Sequence, residues 1–186
     1  MLQELEPLDG RQGRAPSSAA QKLRVADSCA RFALRLDPRK LDLAAQAFGS
    51  EIPSAIGAMR AEGERRAICL GPDEWLLHAP LDEAADIVAR FAALYADCPH
   101  SLVDISHREV GIVIEGNDAG FAINAACPRD LDDIPPGSAT RTVFDSATVT
   151  LIRESETAYR IEVWRSFAPH VWDLLAAAGA EAAQGI

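Results

Sequence analysis

The feature of this sequence that most limits its fold is an internal repeat. Shifting the chain by 78 positions superimposes two segments whose apolar residues alternate with other residues: Phe32, Leu34 and Leu36 fall on Val110, Ile112 and Ile114. Alternation with a period of two indicates a β-strand with one buried face. The same shift places Ala44 on Ala122, in the helix predicted after each strand. The pattern predicts two similar halves of about eighty residues; the alternative is a chance recurrence of alternating strands in an α+β domain.

Each half is predicted to have the element order β-α-β-β-β-α. In the first half, a strand at 30–36 precedes a helix that Asp37 and Pro38 begin and that ends near Phe48, because aspartate caps helices and proline suits their first turn. Turn residues separate the later elements, which are strands at about 55–60, 66–70 and 75–79 and a helix from 82 to about 96. The second half repeats this order, with extended runs at 101–106 and 109–115, a helix after 118, strands at about 139–145, 148–153 and 159–164, and a helix from 166. The predicted fold class is α+β, with two sheets packed together and helices outside.

Composition and the repeat predict the boundaries along the chain. Residues 1–22 are polar and rich in Gly, Ser, Ala and Pro, which predicts a flexible N-terminal arm. Residues 23–98 form the first α+β half, 99–179 the second, and 180–186 a C-terminal tail. Since each half is too small to bury its own sheet well, we expect a single structural unit overall.

The chain is acidic, with 18 lysines and arginines against 28 aspartates and glutamates and a net charge of −10. Nucleic-acid affinity comes largely from basic side chains that release counterions from phosphates. The balance therefore argues against nucleic acid and against an anionic membrane surface as partners. No segment has the roughly eighteen uninterrupted apolar residues of a membrane span, and the N-terminus has glutamates where a secretory signal has a basic region and an apolar core. These features predict a cytoplasmic protein.

Motifs for cofactors and metals are missing from the sequence. No GxGxxG follows a strand, no GxxxxGK[ST] occurs, and the four cysteines and four histidines are scattered without a CxxC or HxxxH pair. In a cytosolic chain such cysteines are expected to be small buried side chains and not disulfides. The sequence therefore predicts no metal or cofactor site in this chain.

Two groups of residues have the composition of a catalytic site. Asp104, Ser106 and His107 are neighbours, but on a strand His107 points away from the other two, and a triad needs each member to hydrogen-bond the next. We expect a strand end there. Cys127 lies after a predicted helix and near Arg129, where a lowered pKa would make it a nucleophile. Without a histidine nearby in the sequence, a buried side chain is the expected role.

Large apolar side chains are expected mainly in the core. Trp75 and Trp164 fall in equivalent strands of the two halves, which favours the core for both, whereas Trp172 in the last helix suits either the core or an interface. In the helix after residue 82, one apolar face is predicted from residues at helical spacing: Ile87, Val88, Phe91, Leu94 and Tyr95.

Several short motifs resemble those of the gamma subunit of heterotetrameric sarcosine oxidases. They occur in the right order: Leu-Gly-Pro-Asp-Glu-Trp-Leu-Leu at 70–77, Val-Asp-Ile-Ser-His-Arg at 103–108, Gly-Asn-Asp-Ala at 116–119, Cys-Pro-Arg-Asp-Leu at 127–131, Pro-Gly at 136–137 and Trp-Arg-Ser-Phe at 164–167. The resemblance covers roughly residues 25–178 and leaves residues 1–22 outside. Motifs in this order are far more specific than any one of them alone.

This resemblance implies a fold similar to that of the folate-binding aminomethyltransferases and the related folate-dependent iron–sulfur assembly proteins. It also implies a complex with alpha, beta and delta subunits that oxidises sarcosine to glycine with oxygen. The products are peroxide and a one-carbon unit that passes to tetrahydrofolate or leaves as formaldehyde. The other subunits would carry FAD, FMN, NAD, zinc and tetrahydrofolate, and the gamma subunit would carry no cofactor and no catalytic residue.

Asp130 is the one candidate for a site residue. The resemblance places it where the aminomethyltransferases have an aspartate that acts on folate, but the lysine-glycine-cysteine motif of the iron–sulfur assembly relatives is missing here. We expect Asp130 to cap a turn through its carboxylate. Two alternatives to the sarcosine oxidase subunit stay open. One is a stand-alone folate-binding protein similar to an aminomethyltransferase, and the other is the same accessory role in an oxidase of another N-methylated amine.

Overall fold

The computed structural model describes residues 6–11 and 21–184. Within them the chain forms ten β-strands and four α-helices. The strands are β1 (Lys22–Val25), β2 (Ala30–Leu36), β3 (Met59–Glu62), β4 (Arg65–Gly71), β5 (Glu74–Ala79), β6 (His100–Asp104), β7 (Glu109–Glu115), β8 (Ser138–Phe144), β9 (Ala147–Arg153) and β10 (Ala158–Trp164). The helices are α1 (Leu41–Phe48), α2 (Ala84–Leu94), α3 (Ala119–Asn124) and α4 (Ala168–Ala182). The elements from β2 to α2 and from β7 to α4 confirm the predicted β-α-β-β-β-α order.

The chain divides into two compact units, each with a five-stranded antiparallel sheet. The N-terminal unit comprises residues 28–107 and 137–139, and its strand order is β3-β4-β5-β2-β6. The C-terminal unit comprises 108–136, the residues from 140 onward and the described residues before 28, and its strand order is β8-β9-β10-β7-β1. The two orders correspond strand by strand, with β3, β4, β5 and β2 equivalent to β8, β9, β10 and β7. The two sheets therefore have the same topology.

The first strand of each half belongs to the sheet of the other half. β1 pairs with β7, with Val25 opposite Ile112, and β6 pairs with β2, with Leu102 opposite Leu34. The units consequently divide at 27/28 and 107/108, whereas the sequence predicted boundaries at 22/23 and 98/99. An alternating pattern shows which face of a strand is buried but not which strand lies beside it.

The core of the N-terminal unit lies between its sheet and the helices α1 and α2. Phe32 and Leu34 on β2 are fully buried there with Phe48 and Phe91 of the two helices. α1 ends where Gly49 adopts a left-handed conformation with φ of 79°, which glycine tolerates without steric cost.

One arginine joins three elements of the N-terminal unit. Arg65 at the start of β4 donates a hydrogen bond of 2.8 Å to the carbonyl of Gly49, one of the terminal carbonyls left without a partner inside α1. Its guanidinium also pairs at 2.6 Å with Glu83, which directly precedes α2. The side chain therefore links the end of α1 to the beginning of α2.

The core of the C-terminal unit lies between its sheet and the helices α3 and α4. Ile112 and Ile114 on β7 are fully buried, as the repeat predicted, together with Val171 and Trp172 of α4. Trp172 therefore has a core position.

The two tryptophans predicted in equivalent strands differ. Trp75 is 1% exposed, and its indole N–H donates to the carbonyl of Pro53 at 2.7 Å. The prediction of a core position is wrong for Trp164, which is 49% exposed. Trp164 is the last residue of β10 and follows Val163, which faces the core. Since successive strand residues point to opposite faces, Trp164 points away from that core.

The described part of the predicted N-terminal arm packs on the C-terminal unit. Residues 6–11 form a turn whose Leu8 side chain is 2% exposed and belongs to that unit's core cluster. Arg11 pairs with Asp173 of α4 at 3.1 Å, and Glu6 pairs with Arg165 at 3.3 Å. Residues 1–5 and 12–20 of the predicted arm lie outside the described residues. At the other end, α4 continues to residue 182, inside the segment predicted as a tail.

Candidate functional site

Asp130 lies in an exposed loop that follows α3. Its Oδ1 accepts a hydrogen bond from the backbone N–H of Asp132 at 3.0 Å, which is an Asx turn. Arg153 of β9 holds the same loop, because its Nη1 donates to the carbonyls of Leu131 and Ile134, both at 2.9 Å. The geometry gives the Asp130 carboxylate a role in shaping the loop.

Ser106 and Asp104 hydrogen-bond each other, but His107 does not join them. The Ser106 hydroxyl donates to Asp104 Oδ1 at 2.6 Å and accepts from the backbone N–H of Arg31 at 2.9 Å. His107 is exposed and has no hydrogen-bond partner within residues 21–184. Because a nucleophilic serine needs a base at its hydroxyl proton, this pair cannot activate Ser106 through His107. It instead fixes the end of β6 beside the start of β2.

The buried cysteines are thiols in apolar surroundings. Cys127 is 6% exposed, and Cys69 and Cys98 are fully buried. Burial raises the pKa of Cys69 and of Cys98 above the usual thiol value, and Cys69 Sγ donates to the carbonyls of Gly71 and Ser54. These two thiols therefore stay protonated near neutral pH, which disfavours nucleophilic or metal-binding roles.

Residues 6–11 and 21–184 contain no group of three or more histidine, cysteine, aspartate or glutamate side chains arranged to hold a metal ion. Within the same residues, no helix is long and apolar enough to cross a bilayer.

An exposed aromatic pair lies at the junction of β10 and α4. Trp164 and Phe167 are 49% and 39% exposed, and the Arg108 guanidinium lies over the Trp164 ring, 5.4 Å from its centre. Arg108 and Trp164 also line a cleft of about 260 Å³ in the C-terminal unit. Tryptophan and arginine are the side chains most enriched in the energetic centres of protein interfaces.

A second exposed apolar surface lies along one side of α2 in the N-terminal unit. Leu81, Val88 and Tyr95 are 54%, 45% and 58% exposed, and we call these three residues the α2 stripe. The prediction that Val88 and Tyr95 share the buried face is wrong, because only Ile87 and Phe91 of α2 are buried. Apolar residues occupy two adjacent faces of this helix. Spacings of three and four residues occur within each face and between the two, so the sequence pattern predicts a single apolar face. The sequence signal for a second face is the spacing of Leu81, Val88 and Tyr95, which are seven residues apart.

Comparison with known proteins places the chain in a family. Residues 35–181 match the model of the "Sarcosine oxidase, gamma subunit family". A gamma subunit of sarcosine oxidase from Corynebacterium sp. strain U-96 is 29% identical over 129 residues, which is 68% of this chain. The matched region spans 62% of the length of that relative.

Solved structures show the same fold. A heterotetrameric sarcosine oxidase from Corynebacterium sp. U-96, in complex with pyrrole 2-carboxylate, contains a chain that superposes with a TM-score of 0.85 at 24% identity. The match covers 96% of this chain and 95% of that one. The glycine cleavage system aminomethyltransferase T of Bartonella henselae superposes with a TM-score of 0.65 at 14% identity, over 84% of this chain and 45% of that one. The family match over residues 35–181 decides the assignment: this chain is a member of the sarcosine oxidase gamma subunit family.

Proposed function

We propose that this chain is the accessory gamma subunit of a cytoplasmic heterotetrameric sarcosine oxidase. The complex oxidises sarcosine to glycine with oxygen and yields peroxide and a one-carbon unit that passes to tetrahydrofolate. Alpha, beta and delta subunits are its partners and carry FAD, FMN, NAD, zinc and tetrahydrofolate. The observation that carries the proposal is the family match over residues 35–181.

The roles of the candidate residues support an accessory function. Asp130 shapes a turn, Ser106 caps a strand end, and the Cys69 and Cys98 thiols are buried. The unusual features of the chain are instead exposed apolar side chains, among them Trp164 and Tyr95. Exposed apolar groups in patches mark protein interaction sites. Such a subunit contributes contact area to an assembly whose chemistry takes place on other chains.

Co-expression tests the accessory role. The alpha, beta and delta subunits are produced with and without this chain, and peroxide formation from sarcosine is measured on the purified assemblies. We expect the complete set to assemble and turn over, the set without this chain to lose assembly or activity, and this chain alone to form no peroxide. Full assembly and activity without this chain would end the proposal. Dimethylglycine and other N-methylated amines in the same assay identify the substrate.

A stand-alone folate-binding protein is the second candidate, favoured by the fold shared with aminomethyltransferase T. Titration of the isolated chain with tetrahydrofolate, followed by tryptophan fluorescence, separates the two. Saturable binding that Asp130→Asn abolishes would support the second candidate. The accessory function predicts no saturable signal, and it predicts the same result for wild type and variant.

A further inference from the structure

The α2 stripe is an apolar surface that the described residues of the chain leave exposed. Its members lie seven residues apart, so they occupy one side of α2 and the turn that precedes it, with two helical turns between neighbours. The small side chains of Ala85 and Ala92 lie between them and are also exposed.

The second half of the chain contains a covered version of the same surface. A shift of 84 positions superimposes the core-facing residues of α2 and α4: Ile87, Phe91 and Leu94 fall on Val171, Leu175 and Ala178. The same shift places Val88 on Trp172 and Tyr95 on Gly179. Trp172 is 2% exposed and Gly179 is buried. The face that is open on α2 is therefore covered on α4.

The N-terminal segment covers this face of α4. Leu8 is buried in the same core cluster as Trp172, and residues 9–11 line one cavity with Trp172. A Cβ atom added to Gly179 would collide with the side chain of Gln21. Arg11, three residues after Leu8, forms its ion pair with Asp173 on the helix. An irregular segment with one apolar side chain and a nearby arginine thus covers this helix face.

We propose that the α2 stripe docks an extended segment of another oxidase subunit, which covers α2 as residues 8–11 cover α4. The segment places an apolar side chain over Val88 and carries an arginine or lysine a few residues away. Asp82, one helical turn before Ala85, is exposed and has no ion-pair partner among the described residues, so it complements that basic side chain. This inference rests on the proposed function, since the segment belongs to a subunit of the complex.

Binding of this chain to the alpha, beta and delta subunits co-expressed with it, measured by co-purification, tests the proposal. Val88→Asp introduces a charge at the centre of the stripe, and we expect at least about thirtyfold weaker binding, the scale of an interface hot spot. Val143→Asp is the matched control, because Val143 lies on β8 and is 42% exposed, close to the 45% of Val88. We expect the control to bind as wild type does, and Asp82→Arg to weaken binding most at low salt.

The outcomes separate this proposal from the proposed function. If wild type binds and Val88→Asp binds equally well, or if Val88→Asp and Val143→Asp lose the same affinity, the docking site is wrong while the accessory role stands. If wild type itself does not bind the other subunits, the proposed function fails.

A photo-crosslinking phenylalanine analogue in place of Tyr95, incorporated in the whole complex, gives a readout that does not depend on the folding of Val88→Asp. We expect mass spectrometry to find it joined to a peptide of another subunit that contains apolar and basic residues. A crosslink to residues 12–20 of this chain or to a second copy of it would overturn the proposal.

Discussion

Single arginine side chains organise the loops of this protein. Arg153 is the clearest case, because its side chain is 11% exposed and donates to two backbone carbonyls, Leu131 and Ile134, and to Glu156. The planar guanidinium holds several donors in a fixed arrangement that the single ammonium of lysine cannot reproduce. The loop that contains Asp130 therefore depends on one side chain on the neighbouring strand.

Replacing this arginine should destabilise the protein without changing its charge. For Arg153→Lys we expect a loss of about 1–3 kcal/mol in the free energy of unfolding, because a part-buried carbonyl loses its donor. Urea denaturation followed by circular dichroism measures the loss. Arg39→Lys is the control, since the Arg39 side chain is 86% exposed in its pair with Asp37, and such exposed pairs contribute little to stability. Equal losses in the two variants would contradict the role assigned to Arg153.

The turn at residues 6–11 acts as a structural element of the C-terminal unit. Leu8→Ala should cost about 2–5 kcal/mol, the usual range for removing a buried leucine side chain. Leu81→Ala, at a leucine that is 54% exposed, should change the stability of the isolated chain by less than about 0.5 kcal/mol. Thermal or urea unfolding of both variants measures the difference. A Leu8→Ala variant as stable as Leu81→Ala would show that the turn does not contribute to the fold.

Sequence patterns located most elements of this fold, because the alternation in β2 and β7 and the cap at Asp37 are local signals. In the structure Asp37 caps a short 3-10 turn at Pro38–Lys40, and α1 itself begins only at Leu41. The patterns could not identify strand neighbours, since β1 pairs with a segment about ninety positions away in the chain, with Lys22 opposite Glu115. They also could not distinguish the buried face of α2 from the stripe beside it, because both are apolar and only tertiary packing decides which is covered. Asp130 was found through family motifs, and its hydrogen bond agrees with the turn that the sequence led us to expect.

At the scale of the whole molecule, each unit takes an edge strand from beyond the boundary of the sequence repeat. The N-terminal sheet is complete only when β6 is present, because β6 pairs along β2 and its Leu102 packs against the core. Ile105 adds a backbone hydrogen bond of 2.8 Å to the carbonyl of Arg31. Without residues 100–106, β2 would become an exposed edge with unpaired backbone groups, which favours association with other chains.

The N-terminal unit can be defined by the structure or by the sequence repeat, and the two definitions make opposite predictions for isolated fragments. A fragment of residues 28–107 keeps all five strands of the N-terminal sheet. A fragment of residues 23–98, drawn at the repeat boundary, lacks β6 and keeps all but the first residue of β1, whose partner β7 is missing from it. We expect the first fragment to give the more dispersed amide NMR signals and the second to aggregate or give a collapsed spectrum. If both fragments gave equally dispersed spectra, the pairing of β6 with β2 would contribute little, and the folding unit would follow the sequence repeat.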